Sequence, residues 1–259
     1  MSAGCVITDS HAHVYDESFD ADRDAAIERA REAGVARMLL VGTNVATSRR
    51  AFELAARHAG VFPTAGIHPH DAADAGPEQR AEIEALCRRP DCVAVGETGL
   101  DWFKQFSPRE AQLSNFRWHL ALARELRKPV IVHCRDARED TLALLAEFPG
   151  LRGVMHCYSY GAAELGEFLA LGMYISFSGV VTYPKNEFNR EAARLVPSDR
   201  LLVETDCPYL APQSKRGRRN EPALCREVLA KLAEVRGTTL DELARITSDN
   251  ANTLFGLPR

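Results

Sequence analysis

The chain has 259 residues, 46% hydrophobic and 26% charged, which suits a soluble globular protein with ample length for one large α/β domain. No apolar run approaches the roughly 20 residues of a membrane span, and no basic stretch followed by an apolar segment predicts a secretory leader. The net charge of −4 disfavours bulk attraction to nucleic acid, although bound metals can supply positive charge locally. Seven cysteines, an odd number without paired-ligand spacing, argue against a disulfide framework and predict a reducing, cytoplasmic setting.

One rhythm repeats along the chain: a short apolar run, a polar motif, then an amphipathic helix. The apolar runs fall at residues 5–7, 38–41, 61–65, 92–95, 129–132, 153–155, 173–177 and 201–203. Such near-continuous apolar strands suit a parallel sheet covered by helices. Helices are predicted over 22–33 and 47–59, each followed by a glycine, Gly34 or Gly60, in the C-terminal position. Pro77 opens the third helix. Ser107, Pro108, Arg109 and Glu110 read as a capping box opening a long helix to Arg127. Further helices are predicted over 137–148, 162–171, 186–196, 221–236 and 239–255. Eight βα units predict a (β/α)8 TIM barrel of the α/β class, one domain over residues 1–259. An open doubly wound sheet is the alternative, but it would not bring all eight strand ends around one centre.

Active sites of such barrels lie at the C-terminal strand ends, where the polar residues recur. Strand one leads into His11 and His13, whose spacing points both side chains the same way from a strand. Strand three runs into His68 and His70, and strand four into Glu97 and Asp101. Strands five and six end at His133 and His156, and strand eight at Glu204 and Asp206. Six of the eight histidines thus fall at strand ends; His58 and His119 lie in predicted helices. Neutral imidazoles grouped with carboxylates point to a divalent metal site. His11, His13, Glu97, His133, His156 and Asp206 exceed the ligands of one open catalytic ion, which predicts two divalent ions, with Glu97 the best bridging carboxylate. Residues 92–101 hold no lysine that could bridge as a carbamate; Lys104 and Lys128 lie outside the motif. The mixed N/O donors suit Zn, Mn, Fe, Ni or Co, and Mg less well.

Asp206 could bind one ion and accept the proton of an attacking water. Glu204 should share its face, as a second acid/base or as a carboxylate paired with a nearby Arg or Lys. Asp9, two residues before His11, is expected to orient a ligand. His68 and His70 could meet an anionic substrate, unless His70 is only a loop residue. Cys134, Cys157 and Cys207 each follow a proposed ligand and should pack on the opposite face. Lys215, Arg216, Arg218 and Arg219 form the one dense basic cluster, either a solvated loop face or an anion contact.

As a set, these motifs closely resemble the TatD family of metal-dependent deoxyribonucleases. The match runs through Asp9–Ser10–His11–Ala12–His13, Gly66–Ile67–His68–Pro69–His70, Gly96–Glu97–Thr98–Gly99–Leu100–Asp101, His133–Cys134–Arg135, His156–Cys157–Tyr158–Ser159 and Glu204–Thr205–Asp206–Cys207–Pro208–Tyr209–Leu210. Ser176–Phe177–Ser178–Gly179 and Arg219–Asn220–Glu221–Pro222 resemble further family motifs. The resemblance covers essentially the whole chain in order. It implies a TIM barrel of the amidohydrolase-like superfamily, a divalent metal centre and 3′-5′ exonuclease or related DNase activity. Carried over by position, it implies His11, His13, Glu97, His133, His156 and Asp206 as metal ligands. Arg219, Asn220, His68 and Tyr158 become candidate phosphate contacts. Thr98 departs from the isoleucine commoner in the family's glutamate motif and is expected to face away.

The expected activity is a metal-dependent phosphodiesterase acting on DNA or another phosphodiester, with no membrane partner and with the oligomeric state open. Hydrolysis of another bond, such as a small-molecule amide or lactone or an aminoacyl-tRNA ester, is the alternative, because one fold hosts many chemistries. A metal-stabilised binding scaffold would need a coordinatively closed site, and six protein ligands for two ions leave room for water.

Overall fold

The computed structural model describes residues 6–258, so Cys5 of the first expected strand lies outside the described residues. Eight strands follow in chain order: β1 (Ile7–Ala12), β2 (Val35–Leu40), β3 (Val61–Pro63), β4 (Val95–Asp101), β5 (Val130–Arg135), β6 (Gly153–Met155), β7 (Met173–Phe177) and β8 (Leu201–Val203). Between them lie the helices α1 (Arg23–Glu32), α2 (Val45–Ala55), α3 (Pro77–Cys87), α4 (Arg109–Leu126), α5 (Arg138–Ala146), α6 (Ala162–Ala170) and α7 (Glu187–Leu195). After β8 come α8 (Cys225–Arg236) and α9 (Leu240–Phe255). This alternation is that of the (β/α)8 TIM barrel, in the α/β class. Among the described residues, no helix is long and apolar enough to cross a membrane.

Two compact units make up the chain. One comprises the described residues of Met1–Leu40, Cys157–Gly166 and Ile175–Arg259. Within it, β1 and β2 pair in parallel from Ile7–Val35 to Ala12–Leu40, and the end of β7 pairs with β8 from Ile175–Leu201 to Phe177–Val203. The segment after β8 joins β1 through an Ala12–Cys207 bridge, with the Asp206 N–H on the His11 carbonyl at 2.9 Å. The other unit comprises Val41–His156 and Glu167–Tyr174. There β4 and β5 pair in parallel, as do β5 and β6, and an Ala65–Val95 bridge extends the line beyond β3.

Three strands run further than their apolar cores suggest. β1, β4 and β5 carry His11, Glu97 to Asp101 and His133 inside the strand rather than after it. Gly, Glu and Asp are poor strand formers by propensity, yet every residue of β4 is buried and the ladder to β5 holds the segment extended. Gly99 makes that pairing possible. Its φ is +140°, and a Cβ there would overlap the His133 carbonyl of β5.

Local signals met tertiary competition elsewhere. The Ser107 hydroxyl does not cap α4: it donates to the His70 carbonyl at 2.7 Å and accepts the Ala73 N–H at 3.0 Å, and Pro108 is the cap residue. α2 ends at Ala55, so Gly60, at φ +80°, serves the turn into β3 rather than a helix end. Cys207 is buried as expected, but Cys134 and Cys157 are only half-buried, beside the hydroxyls of Thr141 and Ser178.

Thr98 is wholly buried in β4, and its hydroxyl has no partner among the described residues. An unmade hydrogen bond in the core costs about 1–3 kcal/mol. Thr98→Val should therefore raise unfolding stability by about 1 kcal/mol in urea titrations; a loss would show that the hydroxyl is satisfied in solution.

His119, on the buried face of α4, accepts the Ile67 N–H on Nε2 at 3.0 Å and lies 2.8 Å from the Asn115 carbonyl through Nδ1. Asn115 donates to the Ile67 carbonyl at 2.8 Å, so α4 holds both backbone groups of the residue before His68. Burial lowers the His119 pKa to about 3. The unfolded chain, with a histidine near 6.5, binds the extra proton as pH falls below that value, so this contribution to stability is lost on going from pH 6.5 towards 3. At pH 5 the loss should reach about 2 kcal/mol, and His119→Gln should flatten the stability profile between pH 7 and 5. An equally steep profile in the variant would assign the loss to other groups.

Candidate metal centre

In the first unit, β1 delivers His11 and the residue after it delivers His13. Their Nε2 atoms lie 3.1 Å apart, and Asp206 Oδ1 stands 3.7 Å from the first and 3.4 Å from the second. All three residues are nearly excluded from solvent. Two imidazole nitrogens and a carboxylate oxygen converging at this spacing form a donor set that a divalent cation fits. His13 Nδ1 lies 2.7 Å from the Tyr15 hydroxyl, an arrangement that leaves Nε2 as the donor when Nδ1 carries the proton.

The carboxylates beside this set divide by task. Asp9 accepts the N–H of His11 at 3.2 Å and both the N–H and the hydroxyl of Thr205, at 3.0 and 2.6 Å. It therefore ties β1 to the segment that carries Asp206, by way of backbone rather than imidazole. Burial pushes its pKa up to about 7 against the pull of those hydrogen bonds. Glu204 is wholly buried and accepts the Cys157 N–H at 2.7 Å.

Three expected phosphate contacts are engaged in the fold. Asn220 is wholly buried and donates to the carbonyls of Thr205 and Tyr209, at 2.9 and 2.6 Å, on either side of Asp206. Its amide has a carbonyl-binding geometry, and its effect is to hold the Asp206 loop. Arg219 pairs with Asp22 at 2.7 Å and lies over the Phe19 ring at 4.3 Å; Asp22 is shared with Arg29, which also binds Glu221. Hydrogen bonds from Arg219 and Arg29 hold the Asp22 carboxyl well below its usual range. Tyr158 is buried and donates its hydroxyl to the Gly161 carbonyl at 2.9 Å.

In the second unit, Glu97 gathers three histidines. Its Oε1 lies 2.9 Å from His156 Nε2, 3.2 Å from His133 Nδ1 and 3.3 Å from His68 Nε2. Glu97, His68 and His133 form a second set able to hold a cation. His68, expected from sequence to meet the substrate, stands beside Glu97 in this cluster. Burial lowers its pKa to about 4, so its imidazole is neutral near pH 7.

Asp101 is the residue whose role the sequence left unassigned. Wholly buried, it takes His133 Nε2 at 3.2 Å and His70 Nε2 at 2.8 Å on one oxygen, and the N–H groups of Phe103 and Lys104 at 2.9 and 2.8 Å on the other. Burial alone would raise its pKa, but these hydrogen bonds bring it below the usual range. For His133, burial lowers the pKa while the bonds to Asp101 and Glu97 outweigh it, giving a net rise. A carboxylate behind the far nitrogen of a histidine orients the ring and strengthens it as a ligand. The signal was a carboxylate at a strand end, four residues after Glu97, but nothing local showed that two histidines would meet it.

The family model "TatD related DNase" matches residues 8–256. An uncharacterized metal-dependent hydrolase, YabD of Bacillus subtilis, is 39% identical over 96% of this chain and 99% of its own. The 3′-5′ ssDNA/RNA exonuclease TatD of Erwinia amylovora is 42% identical over 92% of this chain and 95% of its own. Among solved structures, the TatD homologue YJJV of Escherichia coli superposes with a TM-score of 0.92 at 31% identity, covering 98% of this chain and 99% of that one. Donor sets and likeness along the whole chain agree: the protein belongs to the TatD-related DNase family and is a metal-dependent hydrolase.

Proposed function

We propose that this protein hydrolyses phosphodiester bonds of nucleic acid, releasing nucleotides in the 3′-5′ direction with two divalent ions per chain. His11, His13 and Asp206 hold one ion in this reading, and Glu97, His133 and His156 the other. The observation that carries it is the convergence of histidine nitrogens on two carboxylates, Asp206 and the buried Glu97, more donors than one open ion takes. The substrate class is supported by the relative named as an ssDNA/RNA exonuclease.

Bound divalent ions would lower the pKa of water and neutralise charge developing on phosphoryl oxygens. The chain's own groups supply the rest. Asp206, whose side chain keeps some exposure, accepts the proton of the attacking water. His68, neutral near pH 7, presents an N–H to a phosphoryl oxygen. Asp101 fixes the ring plane of His133, and Asn220 fixes the loop that carries Asp206.

Metal analysis of replete protein should find close to two ions per chain; fewer than one would sink the two-ion reading. Glu97→Ala and Asp206→Asn should each cut metal-dependent nucleotide release from single-stranded DNA by at least ~100-fold, with an intact circular dichroism spectrum. Undiminished release by both would place the activity elsewhere. Faster turnover of acyl esters or lactones than of DNA and RNA would reassign the bond class.

A further inference from the structure

The segment after β4 carries a surface that the metal chemistry does not use. Phe103 and Phe106 are 56% and 67% exposed, three residues apart on the loop between β4 and α4. Single exposed apolar residues are ordinary; these two come with cations. The Arg135 guanidinium stacks 3.9 Å from the Phe103 centroid, and Lys104 Nζ stands 5.7 Å and 5.9 Å from the two rings. Arg49, Arg88, Arg117 and Arg138 on the surface all have carboxylate partners. No described carboxylate pairs with Arg135 or Lys104, although both are exposed.

The loop is tied to the donor cluster. Asp101 holds the N–H groups of Phe103 and Lys104 on one oxygen and His70 and His133 on the other. A file of rings leads inward from the surface. Phe106 meets His70 at 4.8 Å between centroids, His70 meets His68 at 4.3 Å, and His68 meets His133 at 4.6 Å. Phe106 thus stands within three ring contacts of Glu97's histidines.

We propose that Phe103 and Phe106, flanked by Lys104 and Arg135, form a base-stacking platform that seats single-stranded nucleic acid beside the metal centre. This deepens the phosphodiesterase reading and rests on it for the class of substrate. Unpaired bases stack on exposed rings whatever their identity, and uncommitted cations follow the phosphates. Bases inside a duplex cannot present their faces, so the platform selects single strands. The negative net charge of the chain is no obstacle, because the complementary charge is local.

Binding of a single-stranded, hydrolysis-resistant phosphorothioate DNA of about ten nucleotides, followed by fluorescence anisotropy on metal-loaded protein, tests the platform. Phe103→Ala and Phe106→Ala should each weaken binding about tenfold, Phe→Trp at either position should retain it, and Phe→Leu should be as weak as Ala. Lys104→Ala and Arg135→Ala should each reduce the slope of affinity against salt. In the otherwise native enzyme, the phenylalanine variants should raise KM for single strands and leave kcat unchanged. Their hydrolysis of bis(para-nitrophenyl) phosphate, a small diester with no flanking bases, should match that of the native chain. Full affinity in the doubly Ala-substituted protein would overturn the platform. So would full affinity with leucine, which would mean apolar cover rather than stacking, or loss of a native dimer on substitution, which would make the patch a self-association face. The two readings fail separately. Phenylalanine-dependent DNA binding without hydrolysis of either substrate would remove the phosphodiesterase and keep the platform; metal-dependent hydrolysis with indifferent phenylalanines would do the reverse.

Discussion

A buried carboxylate that collects four donors organises the second unit. Asp101 receives two imidazoles and two backbone N–H groups, so strand β4, the histidines after β3 and on β5, and the loop into α4 all meet at one side chain. A charge so enclosed is tolerated only when it is hydrogen-bonded on every side. The same bonds that offset its burial fix His133 at Nε2 and leave Nδ1 directed at Glu97. Close approach of β4 and β5 at Gly99 is what lets those side chains reach one another.

Asp9 has the corresponding place in the first unit, though it works on backbone. Its bonds to His11 and Thr205 hold together the two segments that bear His11, His13 and Asp206. Carboxylates near these histidines therefore fall into two kinds. Asp206 and Glu97 lie in donor sets suited to a cation, whereas Asp9 and Asp101 have both oxygens hydrogen-bonded, Asp101 to two imidazoles and two backbone N–H groups, and set the geometry of the first kind.

Charge on the surface sorts in the same way. The dense basic cluster read from sequence as either a solvated loop face or an anion contact, and Arg219 of that cluster is drawn into a network with Asp22, Arg29 and Glu221. The less conspicuous Lys104 and Arg135, seated over phenylalanine rings, are exposed to solvent, as are Lys215, Arg216 and Arg218 of the basic cluster. A guanidinium has five donors that opposed carboxylates readily occupy, so density of basic residues along the chain says little about which of them meets a ligand.

What the amino-acid sequence determined by itself was the alternation of strand and helix and the positions of the chemistry-bearing residues along it. Short apolar runs, helix stops and six histidines near strand ends are local features, and β6, β7 and β8 fall at the residues their apolar runs indicate. The candidate donors were also legible as residue types and spacings, in His-x-His and the glutamate and aspartate motifs. Only the tertiary structure decided how far β1, β4 and β5 extend, because burial and pairing overrode the weak strand propensity of Gly, Glu and Asp. It also decided that His68 stands with Glu97, that Ser107 serves His70 rather than the helix it precedes, and that Asn220 and Arg219 bind the protein itself. Each of those outcomes depends on a partner tens or hundreds of residues away, and hydrogen-bond partners at that separation leave no periodic trace in the chain.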